Sequence, residues 1–295
     1  DVFATPSVSI VTPPPIEWED PLAGDVEPII EGAALEIPYY EGVQQVGQAM
    51  VDLNLSNNPD AGMGMIGVVK PSRNAMGAYT YASRSPGAEY EEVGETSFML
   101  SSTLAQDLDY LSTSASLFIE NASRLRAGTW AIIGDEIIAI QSVTRDPGTA
   151  NHWFVVFSRG AMDTQPRKHS IGDKIYFIDS DNYIHDVEYT RNEDITFGAK
   201  SFGAKGTSKT YWYGDVHFDA RAYRPYPPQN VYVRGYQFEE KLPLVPLDIE
   251  WAHRNRLQQT GADIPVYTDY TLANPEAGTK YKVQLLDLVR SEERR

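Results

Sequence analysis

Gly62, Gly64 and Gly67 match the GxGxxG pattern by letter. The dinucleotide chemistry of that pattern needs the glycines between a strand and a helix N-terminus, where free amides meet a pyrophosphate. Here they follow Asn58-Pro59-Asp60 and lead into Val68-Val69-Lys70-Pro71, where the proline stops a helix, so a glycine-rich strand or turn is expected. The five histidines, His152, His169, His185, His217 and His253, form no HExxH or His-x-His pair, which favours ordinary polar roles over a metal centre. A run from Asp179 through Asp181 to Asp186 resembles the start of a calcium loop but lacks the sixth-position glycine and the closing glutamate. The 41 acidic residues and 33 aromatic residues could furnish a sugar cleft with two opposed carboxyl groups, yet nothing in the sequence selects a pair. No GxSxG elbow is present. No catalytic residue, cofactor-binding residue or metal ligand is therefore assigned, and no enzymatic activity is expected.

Composition narrows the classes further. Over 295 residues, 42% apolar and 22% charged content describes a globular chain long enough for two or more domains. The absence of cysteine removes disulfides, thiolate catalysis and Cys-based zinc sites. No apolar run approaches the roughly 20 residues of a membrane span, and with Lys70 the first basic residue and no apolar run at the start, no signal peptide is expected. Residue 1 is Asp, which reads as a processed product or an excerpt of a longer polypeptide. The net charge of −16 is uneven, because residues 1–69 hold eleven acids and no Lys or Arg. That asymmetry suits a solvated acidic face, a basic partner, or a passage wall that repels phosphates. It does not suit sequence-specific nucleic-acid binding.

The elements that must position these residues are mostly strands. Residues 4–30 read as extended, with a β-type run at Val8 to Val11 and prolines at 13, 14, 15 and 21. Tyr40, Val43, Val46, Met50 and Leu53 recur at helical spacing between Pro38 and Asn57-Asn58-Pro59, predicting one helix. Residues 62–100 read as strands and turns, 104–111 as a short helical segment, and 128–180 as the most strand-like unit. Within that unit Ile132-Ile133, Gly134-Asp135 and Ile137-Ile138 predict a tight hairpin. Beyond the stiff Pro225, Pro227 and Pro228, alternation at Leu247, Ile249 and Trp251, and again at Tyr281, Val283 and Leu285, predicts part of an antiparallel sandwich.

The block GTWAIIGDEIIAIQSV, continued by HWFVVFSRG and HSIGDKIYFID, resembles a signature of tail-hub (tail-tip, host-specificity-type) proteins of long non-contractile-tailed phages and gene-transfer agents. Gly134, Asp135, Glu136, Arg159, Gly160, His169, Gly172 and Asp173 carry that resemblance. Residues 37–62 look like the segment preceding that barrel, and 247–260, with Trp251, Arg254 and Arg256, resemble the tryptophan strand and Arg-x-Arg turn of a fibronectin-type-III-like domain. The basic cluster usual after the Arg-Gly pair is here Ala161-Met162-Asp163-Thr164-Gln165.

The resemblance implies a mainly β, multi-domain fold. Its parts would be an α+β hub domain with an acidic lead-in over 1–127 and a small β-barrel or sandwich insertion over 128–182. A β segment returning to the hub would follow over 183–225, then an incomplete fibronectin-like sandwich over 226–295. It implies a structural virion protein at the tail tip that closes the tail tube and takes part in host attachment and DNA exit. The implied partners are two further copies in a homotrimer, the distal tail and tape-measure proteins, other tail-tip or fibre proteins, and a host receptor. It implies no cofactor, and the motif residues would serve structure. The competing classes are a receptor- or carbohydrate-binding tail module carried by exposed tyrosines, and a cell-wall or capsule glycan hydrolase.

Overall fold

The structure, a computed structural model, describes residues 25–84, 89–179, 183–238, 248–269 and 273–284. It is mainly β, with several sheets and two α-helices among the described residues. The expected strand at Val8–Val11, the prolines around it and the turn at 85–88 lie outside those residues.

Two sheets face each other in the first layer pair. One holds β1 (Gly32–Glu36), β2 (Ala61–Val69) and β11 (Ile184–Thr190), with β2 central. The other holds β3 (Gly77–Ser83), β4 (Glu91–Thr96), β12 (Asp194–Gly203), β13 (Gly206–Thr207) and β14 (Trp212–His217). Ile66, Val68 and Tyr189 from the first meet Ala78, Ile195, Phe197, Val216 and Phe218. The glycine pattern lies inside β2, as the flanking residues suggested, and packing explains it. A Cβ on Gly64 would sit 2.5 Å from Phe197 Cζ, and one on Gly67 would sit 2.5 Å from Met99 Sδ. Glycine lets these large side chains cross the strand.

The second unit is a six-stranded sheet of β5 (Phe98–Thr103), β10 (Lys174–Ile178), β7 (Trp130–Ile133), β8 (Glu136–Arg145), β9 (His152–Ser158) and β6 (Ser114–Phe118), in that order. It curls until its ends meet, where Ser102 Oγ donates to the Phe118 carbonyl at 2.9 Å. Alternate residues such as Leu117, Ile133, Ile138, Val155, Phe157 and Phe177 fill the interior. The barrel reaches back to residue 98, because β5 and β6 are needed to close it. β5 also runs parallel to β2 at Val68↔Phe98 and Val69↔Met99, which joins barrel and sandwich. The β7–β8 hairpin has the expected two-residue loop, with Gly134 at φ 55°.

Two expectations change here. Residues 104–111 are not helical. The amides of Leu104 and Leu108 donate to the carbonyls of Asp173 and His169, so neighbouring chain takes the bonds a helix would have used. The helix between Pro38 and Asn58 is two helices, α1 (Tyr39–Val46) and α2 (Gln48–Asn57), broken at Gly47 with φ 85°. The break resets the buried face to Val51 and Leu55, and Val46, Met50 and Leu53 are exposed.

After residue 226 the chain forms a two-stranded sheet, β15 (Gln229–Val233) and β16 (Ile249–Ala252). The strand expected around Ile249 and Trp251 is therefore present, while Leu247 and Leu285 lie outside the described residues. Tyr281 and Val283 are not in a strand. Residues 253–269 instead lie on the barrel, where Ile264 and Val266 join a core with Trp130, Ile137 and Met162. Among the described residues there is also one 3-10 turn, Ala122–Arg124.

Candidate functional site

The motif residues converge on one buried carboxylate. Glu136 opens β8 directly after the hairpin, with a fully buried side chain. Its Oε1 accepts from Arg159 Nε at 2.8 Å and the Gly160 amide at 2.9 Å. Its Oε2 accepts from Arg159 Nη2 at 2.8 Å, the Arg167 amide at 2.8 Å and His169 Nε2 at 2.9 Å. The carboxylate only accepts, so His169 presents a hydrogen on Nε2. Burial alone would raise the Glu136 pKa, but the bonds from His169 and Arg159 outweigh it and hold the carboxyl below its ordinary range.

Arg159, equally buried at the end of β9, turns its remaining hydrogens to the carbonyls of Asp109, Ser112 and Arg167. The fork therefore ties the hairpin, the 109–112 turn and the 160–169 loop into a single joint. Gly160 takes φ 56°, and a Cβ there would lie 2.6 Å from Pro166 Cδ, so only glycine fits. Asp135 stays at the surface, paired with Arg167 at 2.9 Å with 80% of its side chain exposed. Gly172 turns at φ 96°, and Asp173 Oδ2 caps the Ser170 amide at 2.9 Å.

The two arginines of the C-terminal motif extend this joint. Arg254 is buried, donating to the carbonyls of Gly160, Thr164 and Pro265, with its guanidinium 5.1 Å from the Tyr226 ring. Burial pulls its pKa down to about 10. Arg256 pairs with Glu276 at 2.8 Å, donates to the Ala222 carbonyl, and lies 4.8 Å from the Tyr39 ring. Trp251 stands apart, half-buried against Tyr281 at 5.5 Å.

A cleft of about 1030 Å³ opens beside the joint, between the β7–β8 hairpin and β1, β14 and the 219–227 turn. Of its central residues, Glu36, Asp163 and Arg221, sequence reasoning met only Asp163, and that as part of the stretch standing where the resemblance expects a basic cluster. Glu36 accepts the amides of Asp219 and Arg221, whose side chain donates to the Glu36 carbonyl and forks onto Asp163 at 2.7 and 2.8 Å. Burial pushes the Glu36 carboxyl up, partly offset by those amides and by Arg221. A raised carboxyl in a cleft is what an acid catalyst needs. These oxygens, however, already fasten the 219–221 turn to β1. Glu36 and Arg221 lie 185 positions apart, which hid the pair from any spacing argument.

The remaining candidates are dispersed. His152 pairs with Asp146, His217 with Asp194, and His253 Nδ1 lies 3.0 Å from Tyr281 Oη. His185 is buried, and desolvation lowers its pKa. Among the described residues no group of three or more His, Asp or Glu is placed to hold a metal. Residues 180–182 of the calcium-loop reading lie outside the described residues, and Asp179 binds Tyr183 Oη and Arg124. Several acids of the Lys- and Arg-free segment have partners within the chain: Glu31 pairs with Lys174 and Asp60 with Arg191 near the surface, and the buried Glu41 accepts from Trp130 Nε1. No helix among the described residues is long and apolar enough to cross a membrane. The chain matches no protein-family model and no curated protein.

Proposed function

We propose that this chain is a structural protein of a phage virion, part of the tail-tip hub, with no enzymatic activity and no cofactor. Its partners would be two further copies, the distal tail and tape-measure proteins, fibre proteins and a host receptor. The observation that carries the reading is the joint itself. The residues of the tail-hub resemblance, Glu136, Arg159, Gly160, His169 and Arg254, are hydrogen-bonded into one buried network. That network fixes barrel, loops and C-terminal segment together, which suits a part that transmits force during attachment and DNA exit. Glu136 has donors on every accepting position, so it has no lone pair to offer a substrate proton. Antibody labelling of intact particles carrying this chain tests the reading: label at the tail end supports it, and label on the head or none on the particle refutes it.

A second reading, saccharide binding, has one observation in its favour. Tyr90, Tyr211 and Tyr213 form a triangle of rings 5.4 to 5.7 Å apart over Gly198 on the outer face of the second sheet. Tyr213 is half exposed there, and Asp215 lies on the same strand two residues on. Aromatic faces beside carboxylates suit sugar C–H faces and hydroxyls. Glycan binding by the isolated chain that is lost in Tyr213→Ala would favour this reading over the hub.

A further inference from the structure

The outer face of the barrel is apolar where β6, β9 and β8 lie side by side. Along β9, Trp153, Val155 and Phe157 pack toward the barrel core, which turns His152, Phe154 and Val156 outward. The register sets their neighbours. Phe118 and Ser116 of β6 lie opposite His152 and Phe154, and Ser114 lies opposite Val156. On the other side Thr144 and Ser142 of β8 lie opposite Phe154 and Val156. The rings touch: His152 stands 4.9 Å from Phe118 and 5.1 Å from Phe154, centroid to centroid. Phe118 is 60% exposed, Phe154 46% and Val156 40%. Those three side chains expose on the order of 300 Å² of apolar surface, a patch of the size that is often functional on a monomer. At the usual apolar share of about 56%, it corresponds to roughly 1,100 Å² buried over two partners, near the lower bound for a specific contact.

We propose that this face docks against the same face of a second copy of this chain, about a shared symmetry axis. Charge decides the occupant. Residues nearest such an axis meet their own counterparts, so a charged face repels itself. The chain carries a net charge of −16 and is 22% charged. Yet Ser114, Ser116, Phe118, Ser142, Thr144, His152, Phe154 and Val156 include no Asp, Glu, Lys or Arg. Asp146, just beyond the face, is held by His152 Nδ1 at 2.8 Å. The hydroxyls flanking the apolar residues both donate and accept, so each can pair with its own counterpart. A basic partner drawn to an acidic chain would seek carboxylates, and this face offers none. Two copies can therefore meet here without their net charge holding them apart. The inference rests on register, exposure and charge, and it does not depend on the tail-hub reading.

Sedimentation velocity of the full chain between about 1 and 200 μM covers the micromolar affinity expected of so small a contact. The wild type should associate reversibly across that range. Phe154→Glu and Phe154→Lys, each alone, should weaken association about tenfold or more, because like charges then face each other. Mixing the two variants should restore it, a result that only a contact of the face with itself gives. Thr144→Glu, exposed and opposite Phe154, repeats the test without removing a ring. Leu53→Glu, on the exposed side of α2, should leave association unchanged. Fluorescence of Trp130 and Trp153 checks that each variant keeps its barrel. A wild type that stays monomeric, Phe154 and Thr144 variants that associate as the wild type does, or a mixture that fails to recover would each overturn the proposal. So would loss of association in Leu53→Glu alone, which would place the contact on the helices. Two copies or three would both support this face, whereas the tail-hub reading stands or falls on the particle.

Discussion

Replacing Glu136 by Gln removes one charge and almost no volume, and the structure sets the consequence. The amide oxygen can still accept from Arg159 Nε and the Gly160 amide, but the new NH2 group faces Arg159 Nη2, the Arg167 amide and His169 Nε2. His169 can relieve its conflict by changing tautomer; the other two donors cannot. Arg159, 2% exposed, would keep a buried charge without its counterion. Breaking one side of a buried pair costs about 3–5 kcal/mol, a large part of the roughly 5–15 kcal/mol that holds a domain folded. Urea unfolding followed by fluorescence of Trp130 and Trp153, both on barrel strands, measures it. The pH dependence gives an independent check. The folded carboxyl titrates below its ordinary value, so its stabilisation is present above the ordinary glutamate pKa of about 4.3 and lost as pH falls through the folded value. The gap between wild type and Glu136→Gln should therefore narrow on acidification. Asp135→Asn, one residue away at the surface, should cost less than about 0.5 kcal/mol. A loss below about 1 kcal/mol for Glu136→Gln, or a gap that does not narrow in acid, would refute the joint as argued.

Other consequences are as specific. Arg254→Ala should release 253–269 from the barrel, seen as faster hydrogen exchange at the Met162 and Tyr267 amides, which donate to Pro265 and Arg159 carbonyls. Gly64→Ala forces a methyl onto the buried Phe197 ring and should cost about 1–3 kcal/mol, whereas Gly67→Ala meets the flexible end of Met99 and should cost less; parallel unfolding curves rank them. Burial depresses His185, so below about pH 6.5 the unfolded chain binds the proton first and stability falls with acidification. His185→Gln should flatten that slope between pH 6.5 and 5, as measured by thermal unfolding across the range.

What the sequence disclosed was local. The Gly134-Asp135 hairpin could be read because a two-residue loop between isoleucine pairs needs one positive φ, and Gly134 supplies it. Pro71 argued against a helix after the glycines of β2 and left a strand or a turn, but the reason for them, Phe197 and Met99 crossing from other strands, is tertiary. The apolar stripe from Tyr40 to Leu53 counted residues on both sides of Gly47 as one face, and the turn there left Val46, Met50 and Leu53 in solvent. Leu104 and Leu108 mimicked helical spacing while both point into the barrel from non-helical chain. Glu136, Arg159 and His169 were visible only through a resemblance, and their chemistry as one carboxylate with its donors needed the fold. The Glu36–Arg221–Asp163 set left no signal in sequence spacing.

The central proposal is that this chain is a structural part of a phage tail tip. Imaging intact particles by electron cryo-microscopy, with symmetry determined locally at the tail end, tests it most directly. The account predicts three copies around the tail axis at the tube's closed end, each with the six-stranded barrel and the 253–269 segment locked to it. Density for this chain away from the axis, in copy number other than three, or absent from the particle would contradict it.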